Sequence, residues 1–194
     1  NLVMRWVPEE DLQSVWASLE EIGLGSPNAN TIADVTSCPG AETCRLAVTH
    51  SRGLGRVLTE DLSQRPDLIN IANGADIKIS GCPNGCGQHH ISSIGFQGSV
   101  RRLGGKAVPQ YFVLIGGAVG ETGASFGRLV AKVPARRISD VVERLLVLYR
   151  DRRVDSESAA TFFQRLSLED AKKALSDLAY LSKDEADPEY FIDL

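Results

Sequence analysis

Long apolar runs are missing from this chain of 194 residues, and no uninterrupted stretch approaches the roughly 20 that a membrane helix needs. Positive charge is also short. Lys and Arg number 21 against 25 Asp and Glu, a formal net charge of -4, which argues against a nucleic-acid surface as the chain's main business. No basic and apolar leader opens the sequence, so a cytoplasmic protein is expected. Internal repeats and low-complexity tracts are absent too. Cysteine is sparse, at four residues, in a chain long enough to bury its own core, so a disulfide framework is not expected. The only methionine is Met4, the chain opens on Asn1, and it closes on Leu194 after an acidic tail, so it is expected to be a piece of something longer.

What is present falls into recognisable segments. Asn1 to Val7 alternates Leu2, Met4 and Trp6 against Val3 and Arg5, which predicts a short strand. Pro8 then opens a helix with Glu9, Glu10 and Asp11 in its first turn. Leu12, Val15, Trp16, Leu19 and Ile22 recur at helical spacing before Gly23. The Gly, Ser, Pro and Asn of Gly23 to Asn30 form the best boundary. Helical spacing returns from Glu42 to Gln64 through Leu46, Leu54, Leu58 and Leu62, weakened in the middle by Gly53 and Gly55. Ile77 and Ile79 alternate with Lys78 and Ser80 as a strand. Further strands are predicted at His90–Phe96, Gln110–Ile115 and Leu129–Val133, and helices at Ser139–Arg150, Ser156–Arg165 and Ser167–Leu181. The last helix starts with a capping pair, Ser167 and Asp170, and carries a core stripe of Leu168, Ala171, Leu175, Leu178 and Leu181.

The four cysteines fall into two pairs, Cys38 with Cys44 and Cys82 with Cys86, that is C-x5-C and C-x3-C with 37 residues between. One four-thiolate site is the economical reading, and zinc and an iron–sulfur cluster compete for it. Structural zinc favours knuckles of two to four intervening residues, which the first pair exceeds. A cubane tolerates varied spacing because each thiolate binds a different corner. Pro39 and Pro83 follow a cysteine each and steer the chain away from helix. Asn84-Gly85 is a turn dipeptide, and Gly81, Gly85 and Gly87 let backbone N–H groups approach anionic sulfur, unless they serve only a tight hairpin.

Thr36-Ser37-Cys38-Pro39-Gly40-Ala41-Glu42-Thr43-Cys44 and Gly81-Cys82-Pro83-Asn84-Gly85-Cys86-Gly87 together resemble the siroheme–4Fe–4S signature of the sulfite and nitrite reductases. Asn1 to Val7 resembles a strand-forming segment of that family's ferredoxin-like half domain, and Ile94-Gly95-Phe96 and Gly116-Gly117 resemble its later strands. The resemblance implies an α+β fold, a mixed sheet flanked by helices with cofactors held by loops at the strand ends. It implies that Cys38, Cys44, Cys82 and Cys86 bind one 4Fe–4S cluster, with Cys86 also the axial ligand of siroheme. Asn84 is placed between two of these ligands, as a contact to the cofactor edge. The resemblance further implies ferredoxin as electron donor and a small anion, sulfite or nitrite, as substrate of a six-electron reduction. The family's other half supplies the cations around substrate. No catalytic residue is therefore assigned within this chain, and the fragment alone is expected to be inactive. Residues 1–25 are expected to end a ferredoxin-like half domain, 26–150 to bind the cofactors, and 151–194 to form a helical extension.

Alternatives stay open at this point: a precorrin-3B synthase-like enzyme, a non-enzymatic iron–sulfur electron-transfer module, and a structural zinc domain. His50, His89 and His90 are expected as surface imidazoles rather than ligands, with proton delivery to substrate the sharper possibility. Arg101-Arg102, Arg136-Arg137 and Arg152-Arg153 are expected on solvated faces. Residues 116–123 lack the register of a dinucleotide fingerprint and are expected to be a glycine-rich loop.

Overall fold

The computed structural model describes residues 3–72, 74–120 and 123–194. Its frame is a five-stranded mixed sheet in the order β1-β2-β3-β4-β7, made of β1 (Thr36–Ser37), β2 (Ile77–Ser80), β3 (Ile94–Leu103), β4 (Lys106–Ile115) and β7 (Arg128–Pro134). β1, β2 and β3 run parallel, whereas β3 with β4 and β4 with β7 are antiparallel. The parallel pairs need long crossovers. Between β1 and β2 that crossover carries α2 (Ser51–Ser63) and α3 (Pro66–Ile71). The β3–β4 hairpin closes through Gly104 and Gly105, both at positive φ (59° and 84°), which a two-residue turn of the twist-matched kind requires.

Buried side chains join the sheet and helices in one core. Ile77, Ile79, Ile94, Phe96, Tyr111 and Val113 from the strands meet Leu54, Leu58 and Leu62 of α2, and α4 (Ile138–Arg152) adds Val141, Leu145 and Tyr149. The same core takes Phe162 and Phe163 of α5 (Ala159–Arg165), Ala171 of α6 (Leu168–Ala174) and Leu178 of α7 (Ser176–Ala179). Of the expected stripe only Leu168 stays exposed.

Several sequence expectations are corrected. The first strand does not form over residues 3–7, and Asn1 and Leu2 lie outside the described residues. Trp6 sits at positive φ (62°) and is 95% exposed. Alternation specifies a strand only where an edge is on offer, and none of the described strands lies beside this segment. α1 (Leu12–Glu21) does follow, but none of its residues is buried. The helix expected from Glu42 starts only at Ser51, because Ala41 N–H and Val48 N–H are drawn to Thr49 and Gly81 carbonyls (2.9 Å each). Gly53 and Gly55 persist inside α2 because the chain end and β1 press on it: a Cβ at Gly53 would meet the Leu194 carbonyl, and one at Gly55 the Ser37 hydroxyl. The strand expected from His90 begins at Ile94, because His89–Ile91 forms a 3-10 turn after Gln88 at φ 58°. α5 starts at Ala159 rather than Ser156, which lies at φ 63°, and is capped by Ser158. The last long helix divides at Leu175, whose φ is -112°. The Ser167 cap is present, accepting the Asp170 N–H at 3.1 Å. The glycine-rich run is in part a small hairpin of β5 (Ala118–Gly120) and β6 (Gly123–Ser125); its Glu121 and Thr122 lie outside the described residues.

Two arginines also depart from a solvated face. Arg137 is 17% exposed and donates to the carbonyls of Asp177, Leu178 and Tyr180, stitching α7 to the start of α4. Arg101 Nε and Nη2 are buried, and burial beside Arg137 lowers its pKa.

Candidate metal centre

Two adjacent parallel strands deliver the two cysteine loops to the same end of the sheet. β1 and β2 are in register with Ser37 opposite Ile79, so Cys38 leaves one strand and Gly81-Cys82 the other side by side. Cys38 N–H continues the ladder to the Ile79 carbonyl at 3.0 Å. Gly81 N–H donates to Cys38 Sγ at 3.2 Å, a bond from one motif to the sulfur of the other. Gly81 has to be a glycine here: a Cβ would lie 2.7 Å from the Thr49 carbonyl and 3.2 Å from Gly40 Cα. The Gly81 carbonyl in turn accepts the Val48 and Thr49 N–H groups at 2.9 and 3.3 Å, so the segment after Cys44 is tied to the Cys82 loop as well.

The four thiols are free and differently exposed. Cys38 and Cys82 are buried, Cys44 is half-buried and Cys86 is exposed. The Ser51 hydroxyl, buried at the start of α2, lies 3.1 Å from Cys38 Sγ and 2.9 Å from the Cys38 carbonyl. A neutral thiol donates to Ser51 while Ser51 donates to the carbonyl; a thiolate accepts a hydrogen bond from the Ser51 hydroxyl instead. Cys38 is thus provided with two donors suited to an anionic sulfur.

The second loop is held from below. Gly87 N–H donates to Ser80 Oγ at 3.0 Å, and Ser80 Oγ lies 2.9 Å from Nδ1 of His89. His89 is 3% exposed, which corrects the expectation of a surface imidazole. Burial holds its pKa below the ordinary value, His90 adds to that, and a hydrogen bond with Gln97 partly offsets it. His90 and His50 are half-buried; the His90 ring meets His89 edge-on at 5.3 Å and Phe126 at 5.1 Å. His50 Nδ1 lies 3.2 Å from the Leu194 carbonyl, and Asp193 accepts the His50 N–H at 2.8 Å. Asn84 is exposed at the loop tip.

Tyr111 is fully buried, and among the described residues its hydroxyl has no hydrogen-bond partner. Burial raises its pKa; the nearby Thr49 hydroxyl eases the rise, and the Asp193 carboxylate adds to it. Sequence reasoning missed Ser51, Ser80, Thr49 and Tyr111. Ser51 left a local signal, a hydroxyl residue at a helix start, but the other three acquire their place only through packing.

The donor set is one a cluster can use: two thiol pairs on loops tied to each other, with a backbone N–H and a hydroxyl at Cys38 Sγ. Among the described residues, no three or more of His, Cys, Asp or Glu are gathered closely enough to hold a single metal ion. A cubane distributes its thiolates over separate irons and takes N–H donors at sulfur, which the Gly81 bond to Cys38 supplies.

Residues 28–182 match the family model described as the nitrite and sulphite reductase 4Fe-4S domain. The chain belongs to this family. It is 30% identical over 177 residues to the ferredoxin sulfite reductase of Mycobacterium tuberculosis, covering 89% of this chain and 32% of that relative. It is 26% identical over 170 residues to the assimilatory ferredoxin-dependent nitrite reductase of Haloferax mediterranei, covering 84% of this chain and 29% of that relative. The chain therefore spans about a third of the length of these relatives. Among solved structures, the NirA protein of Mycobacterium tuberculosis superposes with a TM-score of 0.75 at 27% identity, over 85% of this chain and 31% of that one. Dissimilatory sulfite reductase I shares the fold, with a TM-score of 0.62 at 13% identity, over 95% of this chain and 60% of that one. Membership implies a 4Fe–4S cluster and siroheme, and the mixed sheet flanked by helices is the α+β fold expected from the sequence.

Proposed function

We propose that this chain is the C-terminal, cofactor-holding portion of a ferredoxin-dependent sulfite or nitrite reductase that carries out a six-electron reduction. The observation that carries the reading is the meeting of the two cysteine loops at the ends of adjacent parallel strands, with a backbone N–H of one aimed at a sulfur of the other. Cys38, Cys44, Cys82 and Cys86 hold the cluster. The exposed Cys86 would also hold siroheme, and Asn84, exposed beside it, would contact that cofactor.

When bound, the cluster supplies electrons and siroheme supplies the iron at which the anion is reduced. This chain's own residues bind, orient and shield. Gly81 N–H and Ser51 offset the charge on Cys38, while Tyr111, Phe96 and Ile79 keep water from beneath the loops. A dianionic substrate needs cations in a dry pocket. Those cations come from the other part of the same reductase, and electrons come from a ferredoxin in the cytoplasm. In this scheme residues 1–25 end the neighbouring half domain, 26–150 hold the cofactors, and 151–194 are a helical extension whose α5 to α7 share the core.

The test is the absorption spectrum of anaerobically prepared protein with iron, acid-labile sulfide and zinc counted. A single cubane requires about four iron and four sulfide per chain, and siroheme adds Soret and red bands. Zinc without sulfide defeats the proposal.

A further inference from the structure

Gly87 follows Cys86 directly, so whatever fixes the Cys86–Gly87 peptide also aims the Cys86 side chain. The peptide is pinned twice. A Cβ at Gly87 would lie 2.0 Å from the Ile79 carbonyl oxygen, which shows how hard the turn presses on β2. Its N–H is spent on Ser80 Oγ at 3.0 Å. Ser80 has its own proton to place, and among the described residues the acceptor within reach is His89 Nδ1, 2.9 Å away. With Nδ1 accepting from Ser80, a neutral imidazole carries its proton on Nε2. The bonds run in one direction, from Gly87 N–H to Ser80 and from Ser80 O–H to His89.

The flank of the turn is held as well. Gly85 sits at φ 72°, and the space over it is taken by His90, whose Cε1 would stand 3.1 Å from a Cβ there. His90 in turn packs edge-on against His89. Buried, satisfied polar chains of this kind hold one geometry, because any break leaves an unpaired group away from water. The exposed Cys86 therefore stands beside a peptide pinned to β2.

We propose that Ser80 and His89 are positioning residues that set the orientation of Cys86 through the Gly87 peptide, and so set the electronic state of the cluster that Cys86 holds. The proposal rests on the cluster assignment above. It makes His89 neither a metal ligand nor a proton donor to substrate.

The experiment uses the full-length reductase carrying this chain, as wild type and as Ser80→Ala, His89→Leu and His89→Asn. Iron and sulfide are counted first. The electron paramagnetic resonance spectrum of the reduced cluster and its reduced-to-oxidised ratio at one fixed ambient potential are then compared. Ser80→Ala and His89→Leu are expected to keep their iron, to alter the spectrum, and to move the ratio about tenfold in the same direction, the size of one lost buried hydrogen bond. His89→Asn places an amide oxygen where Nδ1 accepted and is expected to restore the wild-type spectrum and ratio. Combining Ser80→Ala with His89→Leu is expected to add nothing to either alone, because both break one chain of bonds. Spectra and ratios unchanged in iron-loaded Ser80→Ala overturn the proposal, and so does His89→Asn behaving like His89→Leu. Should His89→Leu fail to fold, Ser80→Ala decides. A wild-type protein without iron and sulfide defeats the cluster assignment instead.

Discussion

The backbone N–H of Gly81 donates to the sulfur of Cys38 at 3.2 Å, across 43 residues of chain. One hydrogen bond thus joins the two cysteine motifs before any cofactor is considered. It exists because β1 and β2 are parallel neighbours whose ends bring Cys38 and Gly81 side by side. Parallel strands carrying ligands on the loops at one end are a common way for a fold to gather chemistry.

Gly81→Ala is expected to break this contact. The added methyl would stand 2.7 Å from the Thr49 carbonyl, a backbone atom that cannot swing aside. The loops separate, and iron per chain in anaerobically reconstituted protein falls to less than half of wild type. Full iron content would contradict the close approach.

Ser51→Ala removes the hydroxyl that serves both the carbonyl and the sulfur of Cys38 (2.9 and 3.1 Å). The buried carbonyl is left without its donor and the neutral thiol without its acceptor, which costs about 1–3 kcal/mol. Urea unfolding of the cofactor-free protein should show a lower midpoint with an unchanged slope.

Tyr111→Phe should go the other way. Among the described residues its buried hydroxyl has no hydrogen-bond partner, so removing it sheds a desolvation cost of about 1 kcal/mol or leaves stability unchanged. A fall of more than that in the urea midpoint would mean that the hydroxyl has a partner in solution.

His89 gives a pH dependence whose sign follows from burial. Its folded pKa is depressed below the ordinary 6.5, so the unfolded chain binds the proton more readily. Stability is therefore full above the unfolded value and declines as pH falls below about 6.5 toward the folded pKa. His89→Asn removes that titration. The difference in urea midpoint between the wild type and His89→Asn should change between pH 7.5 and pH 5.5, with the wild type losing more on acidification. A constant difference would contradict a buried neutral imidazole.

Cys38, Cys44, Cys82 and Cys86, their grouping in two pairs and the glycines between them are properties of the sequence alone. So are β2, the β3–β4 strands in outline, the helices after β7 and the Ser167 cap. Each of these is local: a hydrophobic period, a turn residue or a capping hydroxyl states its conformation without reference to distant chain. Tertiary structure alone decided the rest. The alternation of residues 3–7 met no strand edge, and the helical spacing after Glu42 lost to Gly81, whose carbonyl took the Val48 and Thr49 N–H groups. His89 left the surface because Ser80, arriving on a strand nine residues earlier, offered it a buried partner. Spacing could name the thiols, but which hydroxyls and peptides stand behind them depends on which strands lie side by side. That is a matter of long-range pairing, which no short stretch of sequence carries.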